Sequence, residues 1–209
     1  MRRPEPDDSV GHQYFDAKRC VIDSGYAWEI DLQEVILQTA VSEEEFLQEL
    51  AWVILSSGFR ETVLRRHFPR LRQALGGLRS FDGLLARKNV YRRQALKIFG
   101  HRAKIDAIFT GAALCRAIGL SAIIAHTKER GPTYLTFLPF IGPVTAFHLA
   151  KNIGFDVVKP DRHLARISDR FGFNSPAAMC EAIRRTTGEQ VAIIDTVLWR
   201  FGVLRSTGT

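Results

Sequence analysis

The chain has 209 residues, 46% hydrophobic and 24% charged, with a formal net charge of +7. That length supports one substantial domain or two lobes, and the balance is ordinary for a soluble globular protein. Three scattered cysteines, Cys20, Cys115 and Cys180, exclude an iron–sulfur cluster and, with no CxxC or HxxxC pair, a zinc site; free, mostly buried thiols are expected.

Residues 1–12 are polar and proline-containing, which predicts a flexible arm without the apolar stretch of a secretory signal. Residues 13–32 are irregular, with short strands plausible near 18–22 and 26–30. The first clear helix opens at Ser42, where Glu45 three positions on completes a capping box, and carries Phe46, Leu47, Leu50, Val53, Ile54 and Leu55 at helical spacing. Ser56-Ser57-Gly58-Phe59 interrupts it. A second helix is predicted from about Arg60 to His67, stopping before Pro69, with shorter pieces near 70–75, 81–87 and 90–98. A long helix follows over about 102–118, closed by Gly119, then a shorter one over 121–128 and a break at Gly131-Pro132. Further helices are predicted near 143–152 and 161–171, from Ser175-Pro176 to Thr186, and from Gly188 to about Gly202. The pattern is all-α or nearly so. No apolar run approaches the roughly 20 residues of a membrane span, so a cytoplasmic protein with no membrane partner is expected.

Basic residues crowd the clusters Arg65-Arg66-His67, Arg70-Leu71-Arg72, Arg87-Lys88, Arg92-Arg93 and Lys97 to Lys104. Such an excess suits a polyanion, nucleic acid before an acidic membrane, although a solubilising surface reads the same way. Against that background stand two local features. Leu138-Pro139-Phe140-Ile141-Gly142 is a tight turn that restarts as a helix at Pro143, and a helix N-terminus aims unpaired N–H donors at an anion. Gly142 would permit a conformation and a close approach that a side chain blocks. One helix length on, a single acid, Asp161, stands in Pro160-Asp161-Arg162-His163. It suits helix N-capping and equally suits stabilising a developing cation.

Leu138, Pro139, Gly142, Ala146, Asp161, His163, Arg166 and Ile167 fall in order on the signature of the helix–hairpin–helix DNA glycosylase superfamily, which this chain resembles over about residues 42–172. Phe99 to Ile105 and Leu55 to Phe59 look like the family's segments flanking the DNA. The resemblance implies a two-lobed helical fold with a central cleft. One lobe would combine 13–58 with 155–209, and the other would span 59–154 and end in the helix–hairpin–helix. It implies a monomeric enzyme acting on double-stranded DNA with a damaged or mispaired base, with Asp161 as the catalytic carboxylate. Pro139, Ile141, Gly142, Val144, Thr145, Arg162, Arg166, His101 and Lys104 would contact DNA. Phe59 or Arg60 would fill the gap left by an extruded base, and Tyr26, Trp28 and Glu29 would line its pocket. No cofactor is expected beyond an alkali ion at the hairpin carbonyls.

Two departures bear on activity. Phe140 replaces the hairpin's first glycine, and Pro143 removes an N–H from the new helix's first turn. Where bifunctional members carry a nucleophilic lysine this chain has Val144, which cannot form a Schiff base, so the resemblance implies base release without strand cleavage. Two alternatives remain: a DNA-binding protein without catalysis, and a lyase that uses a displaced lysine, Lys151 or Lys159.

Overall fold

A computed structural model describes residues 8–59 and 61–206 of the chain. Twelve α-helices, with no strand among the described residues, make the protein all-α. The stretches 18–22 and 26–30, expected as strands, belong to α1 (Asp8–Val21), a wide turn (Ile22–Tyr26) and α2 (Ala27–Gln38). Tyr14, Ala17 and Val21 recur at helical spacing on a buried face of α1, which overrides the local β-forming residues. Residues 8–12 of the expected arm are the first turn of α1; residues 1–7 lie outside the described part.

The chain divides into two units, 1–39 with 154–209, and 40–153. In the first, α10 (Arg162–Arg170), α11 (Pro176–Thr187), α1 and α2 all pack on α12 (Val191–Ser206). α12 is apolar nearly all round, so it takes the centre, burying Ile194, Val197 and Leu198 against Tyr14, Leu164, Met179 and Ile183. Gly188, expected to open the last helix, is instead the left-handed cap of α11 (φ 75), and α12 runs past Gly202. Glu189, beside that cap, accepts from the Tyr14 hydroxyl and from Lys18 Nζ at 2.6 Å. Burial and this carboxylate raise the Tyr14 hydroxyl far above its ordinary range.

In the second unit α3 (Glu43–Ser56) opens on the expected Ser42–Glu45 capping box. Its seven buried residues serve α4 (Glu61–Ala74), α7 (Arg102–Ile118) and α9 (Pro143–Asn152). A Cβ at Gly111 of α7 would lie 3.0 Å from the Leu50 side chain, so that leucine of α3 packs directly on the α7 backbone. This packing assigns α3 to the central unit, so the division falls after Thr39 and not after residue 58. α4 also corrects the sequence reading, because it continues through Pro69. Leu64, Leu71 and Leu75 are buried on either side of the proline, and their burial outweighs the roughly 3 kcal/mol that an interior proline costs. α5 (Phe81–Ala86), α6 (Lys88–Ile98) and α8 (Leu120–Arg130) complete the unit, with a 3₁₀ segment (Pro132–Phe137) leading to the turn before α9. No single described helix is long and apolar enough to cross a membrane.

Candidate functional site

The turn before α9 forms because Pro139 pre-sets its own φ and the Ile141 N–H donates to Leu138 O at 3.2 Å. In the type II form of such a turn the third residue takes a positive φ, a place for glycine, yet here Phe140 holds it at φ 61. Gly142 is extended (φ −93), a conformation any residue adopts, and a Cβ there would meet only Thr145 Oγ1 at 3.9 Å. The conformational demand placed on Gly142 by sequence therefore sits at Phe140.

Hydrogen bonding narrows the anion site. Gly142 N–H donates to Thr145 Oγ1 at 2.7 Å, and the Thr145 hydroxyl donates back to Gly142 O at 3.1 Å. Ile141, expected at a DNA contact, buries its side chain and uses its N–H within the turn. What remains for an anion are the first-turn N–H groups of Val144 and Thr145, since Pro143 has none. The groove they open onto is shallow, about 570 Å³, and lined by Ser57, Thr136, Leu138, Phe140 and residues 141–145. Of the turn's carbonyls, Leu138 O accepts from Ile141 N–H, and Gly142 O accepts from both Ala146 N–H and the Thr145 hydroxyl.

His101 caps α7, its Nδ1 accepting from Lys104 N–H at 3.4 Å, and its ring remains exposed. Lys104, also expected at phosphate, is 3% exposed. Its ammonium donates to Leu55 O at 3.0 Å and to Ser57 O, so it ties the C-terminal end of α3 to α7. Burial lowers its pKa. Spacing held the signal for this: residue 104 lies on the buried stripe of α7 with Ile108 and Cys115.

Asp161 stands at the N-cap of α10 in the other unit. Its Oδ1 accepts from His163 N–H at 2.9 Å and Leu164 N–H at 3.1 Å. Oδ2 lies 3.8 Å from Lys159 Nζ, and the Asp161 side chain is 12% exposed. The preceding strand of chain is pinned at two points: Asp195 Oδ2 accepts from Lys159 N–H at 2.7 Å, and Asp156 Oδ1 from Ala192 N–H at 2.9 Å. The carboxylate is thus held in one orientation by backbone donors and by the ties to α12. Arg162 and Arg166 are exposed on α10. His163 packs toward Gly202, where a Cβ would meet its own Cβ at 3.6 Å, so its place is the α10–α12 contact.

Of the pocket candidates, Trp28 is exposed, and Tyr26 and Glu29 are engaged. Glu29 forms a two-pronged ion pair with Arg200, with Nε at 2.8 Å, and that guanidinium lies 4.2 Å over the Tyr26 ring. Glu29 is therefore held by the fold and does not stand ready for a base. Arg200 was legible as a lone cation in the apolar run of α12, which demands a carboxylate partner. Phe59 is 43% exposed at the end of α3, and Arg60 lies outside the described residues. No group of three or more His, Cys, Asp or Glu residues able to hold a metal occurs among the described residues. Comparisons with family models, curated proteins and solved structures give no match for this chain.

Proposed function

We propose that this protein is a DNA glycosylase that releases a damaged or mispaired base without cutting the strand. The observation that carries the reading is the turn at 138–142. Phe140 stands where the resembled family has a glycine and adopts the left-handed conformation a glycine would take (φ 61). The turn is held in this form against a backbone cost of about 1–2 kcal/mol. In this reading the Val144 and Thr145 N–H groups hold a phosphate, positioning the strand without reading its sequence. Asp161 faces the sugar: as the C1′–N bond breaks and its electron pair leaves with the base, the carboxylate offsets the oxocarbenium charge. Water then bonds to C1′ and gives up a proton, with Asp161 as acceptor.

Because Asn caps a helix as well as Asp, Asp161→Asn separates catalysis from capping. It is expected to keep duplex binding and thermal stability and to lose at least about 10²-fold in single-turnover base release across a panel of lesion duplexes. Full release by the variant would refute the catalytic role. One observation favours a second reading, strand cleavage by a displaced lysine: Lys159 Nζ is 3.8 Å from Asp161. That amine could attack C1′ only after giving up a proton, for which Asp161 is the neighbouring acceptor. Borohydride trapping on abasic DNA decides between them, since an adduct lost in Lys159→Ala would replace the first reading by the second.

A further inference from the structure

Three connections of the central unit, far apart in sequence, bring aromatic rings to one place. Phe59 follows α3, Phe99 and His101 lie between α6 and α7, and Phe140 is on the turn before α9. Phe59 and Phe99 centroids are 5.1 Å apart, His101 lies near-parallel to Phe99 at 6.4 Å, and Phe140 meets His101 edge-on at 6.3 Å. The buried Lys104 ammonium sits beneath, 4.8 Å from the Phe59 centroid and 5.9 Å from that of Phe140. Such rings ordinarily close over a core, yet Phe59 and Phe140 remain 43% and 44% exposed. Core packing therefore does not account for an aromatic side chain at the strained position 140, where a glycine would cost less.

We infer that Phe59, Phe99, His101 and Phe140 form a stacking platform for an unpaired nucleobase, a binding site distinct from the one that acts on the sugar. The chemistry fits that occupant. A nucleobase offers a flat π face, and aromatic surfaces take such faces with little regard to sequence. Phe140 also lines the groove onto which the Val144 and Thr145 N–H groups open, so one nucleotide could lay its base on the ring and its phosphate at the start of α9. The unit around it carries 17 Lys and Arg against 8 Asp and Glu, which complements a polyanion. The platform rests on the DNA reading proposed above but needs no catalysis.

The test compares a fully paired duplex with the same duplex bearing one bulged base, by fluorescence anisotropy, for wild type, Phe59→Ala, Phe140→Ala and Phe140→Tyr. Each alanine is expected to weaken bulged-duplex binding by about 5- to 160-fold, the range for loss of one base-stacking ring, and to leave the paired duplex unchanged. Phe140→Tyr, which keeps a ring on the same backbone, is expected to restore binding. A 2-aminopurine in the bulge should be quenched by wild type and not by Phe140→Ala. Equal loss on both duplexes, or no loss on either, overturns the platform while leaving base release by wild type to judge the glycosylase reading. Bulge-selective binding by a wild type that releases no base would keep the platform and discard the enzyme.

Discussion

Position 140 sets a conformational preference against a side chain's contacts, and the two can be measured apart. Phe140→Gly relieves about 1–2 kcal/mol of left-handed strain, gives back about 0.4–1 kcal/mol in unfolded-chain entropy, and loses ring contacts worth about 0.5–1.5 kcal/mol. Phe140→Ala loses the same contacts and keeps the strain. The glycine variant is therefore expected to lie within about 1.5 kcal/mol of wild type and above the alanine variant in chemical denaturation. An alanine variant as stable as the glycine variant would remove the strain argument. Residues at this scale were partly legible in sequence. The motif located Phe140 as a departure, but its positive φ belongs to the form the turn adopts, which no spacing reveals. Lys104 shows the opposite case, a cation expected at DNA phosphate although its helical position places it among Ile105, Ile108 and Cys115.

Between elements, the contact of α3 with α9 contains a titratable group. Asn152, at the end of α9, donates from Nδ2 to Glu49 Oε2 of α3 at 2.6 Å. Burial pushes the Glu49 carboxyl up to about 7, and the Asn152 hydrogen bond offsets this only in part. As pH rises from about 4.5 to about 7, the unfolded chain releases this proton while the folded chain retains it, so the folded state binds more protons and stability falls. Above that window the penalty is complete and constant. Glu49→Gln keeps an acceptor for Asn152 and carries no charge. It is expected to match wild type near pH 4.5 and to exceed it by about 1–3 kcal/mol at pH 8, read from urea midpoints at both values. Parallel pH profiles for the two proteins would show that Glu49 is ionised without penalty in the fold. Element boundaries were legible where caps are local, as at Ser42, Gly119 and Ser175. They were misread at Pro69 and Gly188, where burial of a continuing apolar stripe or a left-handed cap decided the outcome.

Across the whole molecule, helical periodicity made the all-α class readable, while membership of α3 in a unit depended on which helices its buried residues meet, a long-range property that no local pattern encodes. Charge distribution needed the same division. Residues 40–153 hold 17 Lys and Arg against 8 Asp and Glu, whereas the remainder holds 12 against 14, so the excess read from composition belongs to one unit. Much of it lies on α4 and α6, which pack together. Arg66 and Arg70 are exposed on α4, opposite buried Leu64 and Leu71, and Arg93 and Lys97 are exposed one turn apart on α6. None of the four pairs with an acid among the described residues, in contrast to Arg72 with Glu44 and Arg92 with Asp106. If duplex DNA is the partner, each of these cations in contact with a phosphate contributes about 0.9 to the slope of log K against log salt. Replacing all four by Gln is then expected to flatten the slope by up to about 3–4 and to weaken binding evenly across sequences. Arg19→Gln with Arg185→Gln, which removes two cations already paired with Asp16 and Glu181 in the other unit, should leave the slope unchanged. An equal change in both variants would mean that net charge alone, and no face of α4 and α6, attracts the polymer.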